Sequence, residues 1–443
     1  MGFITVAAVL HLCCIPHRPG VCNVIVTKVT QVRYTRLVLL PQKMRKRIMK
    51  KLLEKIVTGI ITCSGFLTSV VILLIVLFLF SEGFGMFSQK TIEDGYALVV
   101  NRQNPVDELN ARQIKEIFDE DITNWKQVGG TDERIMLLRF DDMPRYFSQE
   151  QLGANYEHAT RCIEQMVTEN RGIIAYVPEN FVDEGFEGKR LTDHRISLTE
   201  VFLGKEWFPT ATPAPQFGFV PLVLGTVWVT VFAILFALPF GLAVAIYLSE
   251  VASEKMRKML KPVIELLGGI PSVVYGFFGL IVIVPLLQDV FGLPVGESGL
   301  AGALVLAIMA LPTIITVSQD AMLNCPRAQR EASLALGASK WQTIYKVVMP
   351  YSASGITSAV VLGIGRAFGE TMAVLMVTGN AAVIPLSITD PLRTIPATIA
   401  AELGEAPAGG PHYQSLFLLG VVLFFITLLI NSSVEYISAR NKK

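Results

Sequence analysis

Arg366 and Glu370 are two opposite charges inside an apolar segment near the C-terminal end of the chain. They occur in GIGRAFGETMAVLMVTG, within a stretch from about Tyr351 to Gly379 that holds no other charged residue. A charge at membrane depth costs about 2.5 to 3.5 kcal/mol on insertion scales, so such residues are generally functional or paired. The guanidinium of arginine is a planar fork of donors that matches the oxygens of an oxyanion. The pair therefore indicates non-covalent binding of an anion within a membrane.

The spacing of the two charges predicts how they would cooperate. Residues four apart lie on one face of a helix, so Glu370 is expected to hold Arg366 in place. It would also weaken the binding of an anion to Arg366, so that the anion can leave again. The alternative is a mutually neutralised pair with a structural role. Gly365 and Gly369 are a pair of small residues on the same segment, and their spacing favours close packing against another helix.

The segment 319–350 carries a second pattern, QDAMLNCPRAQREASLALGASKWQTIYKVVMP. Pro326 suits the first turn of a helix, and Gly337 is expected to end or turn that helix. A second amphipathic piece runs from Lys340 to Val348. The pattern predicts a short helix–turn–helix on the membrane surface that serves as a docking site; the alternative is an ordinary amphipathic interfacial loop.

These residues must be positioned by membrane helices. The chain is 52% hydrophobic and only 17% charged, whereas soluble domains carry about a quarter charged residues. Six apolar runs are long enough to cross about 30 Å of hydrocarbon. They are Ile56–Phe80, Gln216–Ser249, Leu266–Gln288, Ser298–Ser318, Tyr351–Gly379 and Gln414–Val434. Within the third run, Pro271 and Ser272 are expected to break or kink the helix and free backbone groups near a cavity; a simple proline kink is the alternative.

The distribution of Lys and Arg predicts the orientation of these spans, because cytoplasmic loops are enriched in both. Seven lysines and arginines precede the first span: Lys43, Arg45, Lys46, Arg47, Lys50, Lys51 and Lys55. Both termini and the segment 319–350 are therefore expected to be cytoplasmic, and residues 81–215 extracytoplasmic. A net charge of +1 and the lack of a basic aromatic patch give no indication of nucleic-acid binding.

The outer segment has the pattern of a small α/β unit. Strands are predicted at Tyr96–Val100, Arg134–Arg139 and Gly172–Val177, with helices at Ala111–Phe118 and Tyr156–Thr168. Residues 1–43 are of a different kind and are interpreted as an over-long reading frame or an unstructured extension. Their cysteines and histidines have no zinc-like spacing, so no metal site is expected.

The sequence lacks a phosphate-binding loop of the form G-x-x-x-x-G-K-[ST]. It also shows no persuasive arrangement of nucleophile and base. The chain is therefore not expected to be an enzyme or to need a cofactor, and any ATPase that drives it must be a separate polypeptide.

The segment 319–350 resembles the EAA loop of ABC-importer permeases. The match is carried by Glu331, Ala332, Gly337, Ile344 and Pro350, while Ser333 replaces the second alanine. The resemblance implies coupling helices that sit in a groove of the ATPase subunit, with Glu331, Ala332 and Gly337 as the coupling residues.

Residues 204–443 are similar, almost continuously, to the permeases of high-affinity phosphate ABC transporters (PstC type). The matching pieces include GKEWFPT, FGFVPLVLGTVWVT, ELLGGIPSVVYGFFGL, GIGRAFGETMAVLMVTGN and HYQSLFLLGVVLFFITLLIN. The resemblance implies inorganic phosphate as substrate and four kinds of partner: an ATP-binding subunit dimer, a second permease of the PstA type, an extracytoplasmic phosphate-binding protein and the lipid of the inner membrane. Arg366 and Glu370 would line the substrate path.

The outer segment looks like part of a phosphate-binding-protein domain, on the evidence of VVNRQNP, the Ile117–Gly130 run and GIIAYV. In that family an arginine-ended strand leads into a Ser-Gly-Thr type turn that cradles phosphate. Here Arg139 is followed by Asp141 and Asp142, which would repel phosphate. A degenerate lobe used for docking or gating is favoured over a working phosphate site.

The expected fold is an all-α polytopic membrane protein of the type I ABC importer class, with about six spans and a small α/β insert. The predicted divisions are an extension at 1–43, a basic flank and first span at 44–81, the outer insert at 82–215 and the permease core at 216–443. Two rival functions stay open, a membrane phosphate sensor and a permease for another oxyanion. The EAA-like loop disfavours the sensor, because a sensor needs no ATPase docking helix.

Overall fold

The computed structural model describes residues 42–183, 185–192 and 194–440. The predicted N-terminal extension, with Cys13, Cys14, Cys22, His11 and His17, lies outside the described residues. The chain divides into two units, 1–78 and 79–443. The first helix, α1, spans Gln42–Gly85, and the apolar side chains of its membrane window are not buried within the chain.

Six helical segments are long and apolar enough to cross a membrane, which confirms the predicted number. They are Leu53–Ser88, Val220–Val251, Ser272–Phe291, Gly299–Leu323, Lys340–Phe368 and Pro411–Ser433. The third begins at Ser272 rather than Leu266. The fifth begins at Lys340, so the amphipathic piece after Gly337 continues directly into the membrane span.

The outer insert is a four-stranded sheet with a helix layer on each face. Its strands are β1 (Tyr96–Val100), β2 (Met136–Arg139), β3 (Ile173–Pro178) and β4 (Lys189–Arg190). The sheet order is β2-β3-β1-β4, with β1 antiparallel to β3 and to β4, and β2 parallel to β3.

The helices of the insert follow from its apolar pattern. They are α2 (Ala111–Phe118), α3 (Met143–Tyr146), α4 (Gln149–Leu152) and α5 (Ala159–Glu169). Because side chains alternate along a strand, Leu98 and Val100 of β1 pack into one core with α2, while Val99 packs into another with α5. The predicted α/β unit is therefore present, with its elements within three residues of the expected bounds.

A short linker joins the insert to the membrane core. It contains α6 (Leu198–Leu203) and a hairpin of β5 (Trp207–Phe208) and β6 (Gln216–Phe217). Trp207 and Phe217 are buried in one apolar cluster with Leu416 and Leu419 of the last span. The linker is thus packed against the outer end of the membrane helices.

The membrane core is built around α11 (Gly299–Leu323), which is the most buried span. The helices before it are α7 (Val220–Ile246), α8 (Glu254–Gly269), α9 (Ser272–Phe278) and α10 (Val284–Phe291). After it come α12 (Arg327–Ala335), α13 (Lys340–Thr343), α14 (Met349–Phe368), α15 (Met372–Val377), α16 (Ile395–Glu402) and α17 (Pro411–Arg440). Gly241 of α7 and Gly363 of α14 both lie against Ile314 of α11, since small residues let membrane helices approach closely.

Candidate functional site

The helix that carries Arg366 ends two residues after it. Helix α14 stops at Phe368, Gly369 caps it, and α15 begins at Met372. The sequence analysis expected one helix to run through to Gly379, and that expectation is wrong. Arg366 and Glu370 are consequently not two positions on one continuous helix face.

Glu370 caps the helix that follows. Its Oε1 accepts a hydrogen bond from the backbone N–H of Ala373 at 3.4 Å, and a carboxylate at a helix N-terminus also complements the helix dipole. Within the part of the chain that the structure describes, no ion pair joins Glu370 to Arg366. The predicted clamp between the two charges is therefore absent from this conformation.

Arg366 is half-buried and nearly unpartnered. Its Nη1 donates to the hydroxyl oxygen of Thr313 at 3.5 Å, which is at the long limit of a hydrogen bond. Among the described residues this is its only hydrogen bond or ion pair. Since a guanidinium has five N–H donors, most of the donor capacity of Arg366 is free.

A second helix break lies beside Arg366. Helix α8 ends at Gly269, and Pro271, with φ −59° and ψ 141°, leads into α9 at Ser272. The hydroxyl of Tyr275 donates to the carbonyl of Leu267 at 2.7 Å and so bridges the break. This break follows the predicted effect of Pro271, because proline disfavours a helical residue before it.

The two breaks lie against neighbouring residues of α11. A Cβ placed at Gly268 would lie 3.4 Å from Cβ of Pro312, and Arg366 contacts Thr313. The motifs GIPSVVYG and GRAFGETMA, distant in sequence, also contact each other, since a Cβ placed at Gly276 would lie 2.9 Å from Cα of Ala373. Irregular backbone at membrane depth occurs where it is buried in protein or lines a cavity, so the geometry is that of a polar site in the membrane core.

Gly365 and Gly369 do not pack closely against another helix within the part of the chain that the structure describes. A Cβ at Gly365 would meet nothing within 4 Å, and one at Gly369 would meet only the carbonyl of Gly365 at 3.6 Å. Gly369 borders a cavity of about 520 Å³ together with Thr371 and residues of α16, the turn after it and α17: Pro396, Ile399, Ala400, Leu403, Gly404 and Leu423. The close packing expected of the two glycines stays a prediction.

The predicted docking segment is a helix–turn–helix. Gly337, at φ +82°, turns the chain between α12 and α13, and only glycine adopts that conformation without strain. Glu331 and Ala332 are exposed on α12. The turn and the second helix present three large apolar side chains, with Leu336 89%, Tyr345 74% and Trp341 67% exposed.

An ion pair anchors this segment to the membrane core. Arg330 of α12 pairs with Glu250 at 3.0 Å and donates to the carbonyl of Met322 at 2.7 Å. Glu250 lies at the end of the second span, so the pair fixes α12 to two spans at once.

The turn after β2 in the insert is acidic, and the arginine before it is already engaged. Arg139 donates to the carbonyl of Phe118 and lies over the ring of the same residue. The following turn places Asp141 and Asp142 on one 3₁₀ turn, and Asp142 pairs with Arg145 at 2.9 Å. Arg139 is thus engaged with α2, and two carboxylates occupy the turn.

One charged cluster was missed by the sequence analysis. The carboxylate of Glu402, at the end of α16, receives hydrogen bonds from three side chains on separate segments. Arg393 donates at 2.6 Å, His412 Nε2 lies at 2.9 Å, and Trp207 Nε1 lies 3.2 Å from each carboxylate oxygen. The Glu402 side chain is only 13% exposed.

The environment of Glu402 stabilises its charged form. Burial raises the pKa of Glu402, but the bonds from His412 and Trp207 and the charge of Arg393 outweigh burial and lower it. Trp207 lies in the GKEWFPT motif and His412 opens the HYQSLFLLG motif. The sequence contained one hint of this cluster, because both motifs resemble the same family. Only the fold shows that the two motifs lie in contact.

The described residues contain no cluster of His, Cys, Asp and Glu that could hold a metal ion. In comparisons with known proteins, residues 237–443 match the family described as binding-protein-dependent transport system inner membrane component. Residues 79–177 match a domain of the periplasmic-binding-protein superfamily.

Curated relatives cover the C-terminal half of the chain. A probable ABC transporter permease protein, YqgH of Bacillus subtilis, is 43% identical over 247 residues, which is 56% of this chain and 80% of that protein. The phosphate transport system permease protein PstC of Mesorhizobium japonicum is 38% identical over 259 residues, 54% of this chain and 78% of that protein.

Two solved structures are similar to parts of the chain. The MetNI methionine ABC transporter in an inward-facing conformation matches at 20% identity and a TM-score of 0.41, over 51% of this chain and 96% of that chain. A putative phosphate ABC transporter substrate-binding protein of Clostridium perfringens matches at 30% identity and a TM-score of 0.18, over 24% of this chain and 46% of that chain.

Proposed function

We propose that this chain, which belongs to the inner-membrane permeases of binding-protein-dependent ABC transporters, moves inorganic phosphate into the cytoplasm. It is a multi-pass membrane protein whose curated relatives include several permeases named PstC. The relatives show the family, and phosphate as the substrate is our proposal.

The observation that carries the proposal is the state of Arg366. A half-buried arginine in a membrane span holds one long hydrogen bond to a neutral hydroxyl. An uncompensated charge at such a position is unfavourable, so its retention favours a ligand that compensates it during transport. A phosphate ion fits because its oxygens match the fork of the guanidinium.

Glu370 has a different role from the one predicted at first. Because it caps α15 instead of pairing with Arg366, we propose that it fixes the break after α14 and leaves the guanidinium free. Pro271 and Ser272 fix the facing break between α8 and α9. The permease core at 216–443 thus supplies a weak, open anion site, as conduction requires.

The segment 319–350 is the proposed contact with an ATP-binding dimer. Its exposed apolar side chains and its anchor through Arg330 and Glu250 support this role, with Glu331, Ala332 and Gly337 as the coupling residues. We propose that this segment and both termini are cytoplasmic, because basic flanks are enriched on that side of a membrane. ATP hydrolysis would occur on that separate subunit.

The open face at Gly365 and Gly369 is the proposed contact with a second permease of the PstA type. Small residues in membrane helices commonly mark the surface against which another helix packs. Among the described residues, no other helix lies within 4 Å of a Cβ placed at either position, so we propose that the partner comes from another subunit.

The insert at 82–215 is proposed as a docking or gating lobe for an extracytoplasmic phosphate-binding protein. Arg139 is engaged by Phe118, and the neighbouring turn is acidic. Like charges disfavour phosphate in that turn. Micromolar binding of phosphate by the whole permease complex that persists in Arg366→Gln and is lost in Arg139→Gln would contradict this role.

The proposed function is tested by uptake of labelled phosphate into proteoliposomes. The liposomes contain the complex purified through this chain, its binding protein and internal ATP. Arg366→Gln is expected to reduce uptake about a hundredfold, because the positive charge that would bind the anion is lost. Arg366→Lys should retain a small part of it, since lysine keeps the charge and loses the fork.

Two controls define the outcome. Lys258→Gln removes an exposed charge from α8 and should transport normally. ATPase activity and subunit composition report whether each complex has assembled. Native uptake by an assembled Arg366→Gln complex would overturn the proposal. Preferential uptake of sulfate over phosphate by the wild type would mean that the substrate is another oxyanion.

A further inference from the structure

Thr313 is the one side chain that contacts Arg366 by a hydrogen bond among the described residues. It lies in the middle of α11, directly after Pro312, and is half-buried. Its hydroxyl oxygen accepts from Nη1 of Arg366 at 3.5 Å. The sequence analysis did not select it, because a threonine in an apolar helix has no distinguishing spacing.

The hydroxyl proton of Thr313 has no acceptor among the described residues, in contrast to those of Thr226 and Thr230 in α7. A threonine in a helix commonly donates its proton to the carbonyl four residues earlier. Thr226, Thr230, Thr357 and Thr378 do so at 2.7 to 3.0 Å. In the described part of the chain, Thr313 makes no such bond.

A hydroxyl is both a donor and an acceptor. The lone pairs of Thr313 already serve Arg366, which leaves its proton for a second partner. A neutral acceptor orients the guanidinium without cancelling its charge, as a carboxylate would. The pair therefore presents free N–H groups and one free O–H group side by side at the meeting point of the two helix breaks.

We propose that Thr313 is a second anion-binding residue of the substrate path. It accepts from Arg366 and donates to an oxygen of the same oxyanion, so that charge and hydroxyl bind the ligand together. This inference rests on the proposed function, since it assumes that the anion passes Arg366.

The test compares three variants in the proteoliposome assay with inorganic phosphate. Thr313→Val keeps the shape and removes the hydroxyl, Thr313→Ser keeps the hydroxyl, and Thr316→Val makes the same change three residues along α11 at another half-buried threonine. Hydrogen bonds to charged groups predict a rise of about tenfold or more in the KM of Thr313→Val. The maximal rate should change less than KM does.

Recovery in Thr313→Ser and native kinetics in Thr316→Val would complete the expected result, because a loss of packing would not be rescued by the smaller serine. Native KM in an assembled Thr313→Val complex overturns the inference. So does an equal loss in Thr313→Ser and Thr313→Val, which would make the residue structural.

The two failures can be told apart. If Arg366→Gln abolishes uptake while Thr313→Val is native, only the role of Thr313 is wrong. If Arg366→Gln transports normally, the anion does not use this site, and both proposals fail.

Discussion

Glu402 and Arg366 are two partly buried charges in the same chain, and they differ in how many partners surround them. The carboxylate of Glu402 receives bonds from Arg393, His412 and Trp207. The guanidinium of Arg366 has one long bond to a hydroxyl. The carboxylate of Glu402 has partners on three segments and so joins the linker, the loop before α16 and the last span. The guanidinium of Arg366 keeps most of its donors free and lies between two broken helices.

The difference separates a structural charge from a ligand-binding one. Breaking a buried ion pair by removing one partner is strongly destabilising, because the remaining charge loses its compensation. A charge that has no compensation in the resting protein contributes little to the fold, and its compensation must come from elsewhere. We therefore propose that Glu402 serves stability and Arg366 serves transport, and each role can be tested on both properties.

The largest effect on stability is expected at Glu402. Glu402→Ala leaves Arg393 and His412 facing each other in a mostly buried cluster and should destabilise the outer half of the core by about 3 to 5 kcal/mol. Thermal unfolding of the detergent-purified protein measures this as a fall in Tm. Glu405→Ala, an exposed acid three residues later, is the matched control. A Glu402→Ala protein that melts with the control would show that the cluster contributes nothing.

A smaller effect is expected from the aromatic partner of the same carboxylate. Trp207→Phe removes the N–H that contacts both oxygens of Glu402 and leaves unfilled volume at a side chain only 1% exposed. The cost should be about 1 to 3 kcal/mol. Trp341→Phe, on the exposed docking segment, should leave Tm unchanged. Equal changes in Tm for the two variants would show that Trp207 does not contribute to the stability of the cluster.

The contribution of Glu402 should also depend on pH, with a sign that its environment fixes. Because the folded protein lowers the pKa of Glu402 below its ordinary value of 4.5, the stabilisation is complete above that value and is lost as pH falls through the lowered one. The difference in Tm between wild type and Glu402→Gln should therefore be constant near neutrality and shrink below about pH 4.5. A difference that grows on acidification would reverse the assigned cause.

The sequence predicted the parts of this comparison that depend on local pattern. Six spans, the helix–turn–helix around Gly337 and the strands of the insert follow from apolar periodicity, proline and glycine, and all are present. The intramembrane position of Arg366 was likewise visible in the sequence.

What the sequence did not reveal depends on tertiary contacts. The end of α14 at Phe368 was missed, because apolar residues continue on both sides of it and only Gly369 marks the break. The Glu402 cluster was missed because its members lie up to 205 residues apart, from Trp207 to His412. Nothing in the local spacing of a tryptophan, an arginine and a histidine predicts a shared partner.

Arg366, which is expected to have the largest effect on transport, should have the smallest effect on stability. Arg366→Gln loses one long hydrogen bond and removes an uncompensated charge from the membrane core, so its stability should stay within about 1 kcal/mol of wild type. Thermal unfolding beside Glu402→Ala, in the same detergent, measures both. A fall in Tm as large as that of Glu402→Ala would mean that Arg366 has partners in the assembled complex that hold it in place. The open donors would then belong to the architecture of the complex, and the anion would have to cross the membrane elsewhere.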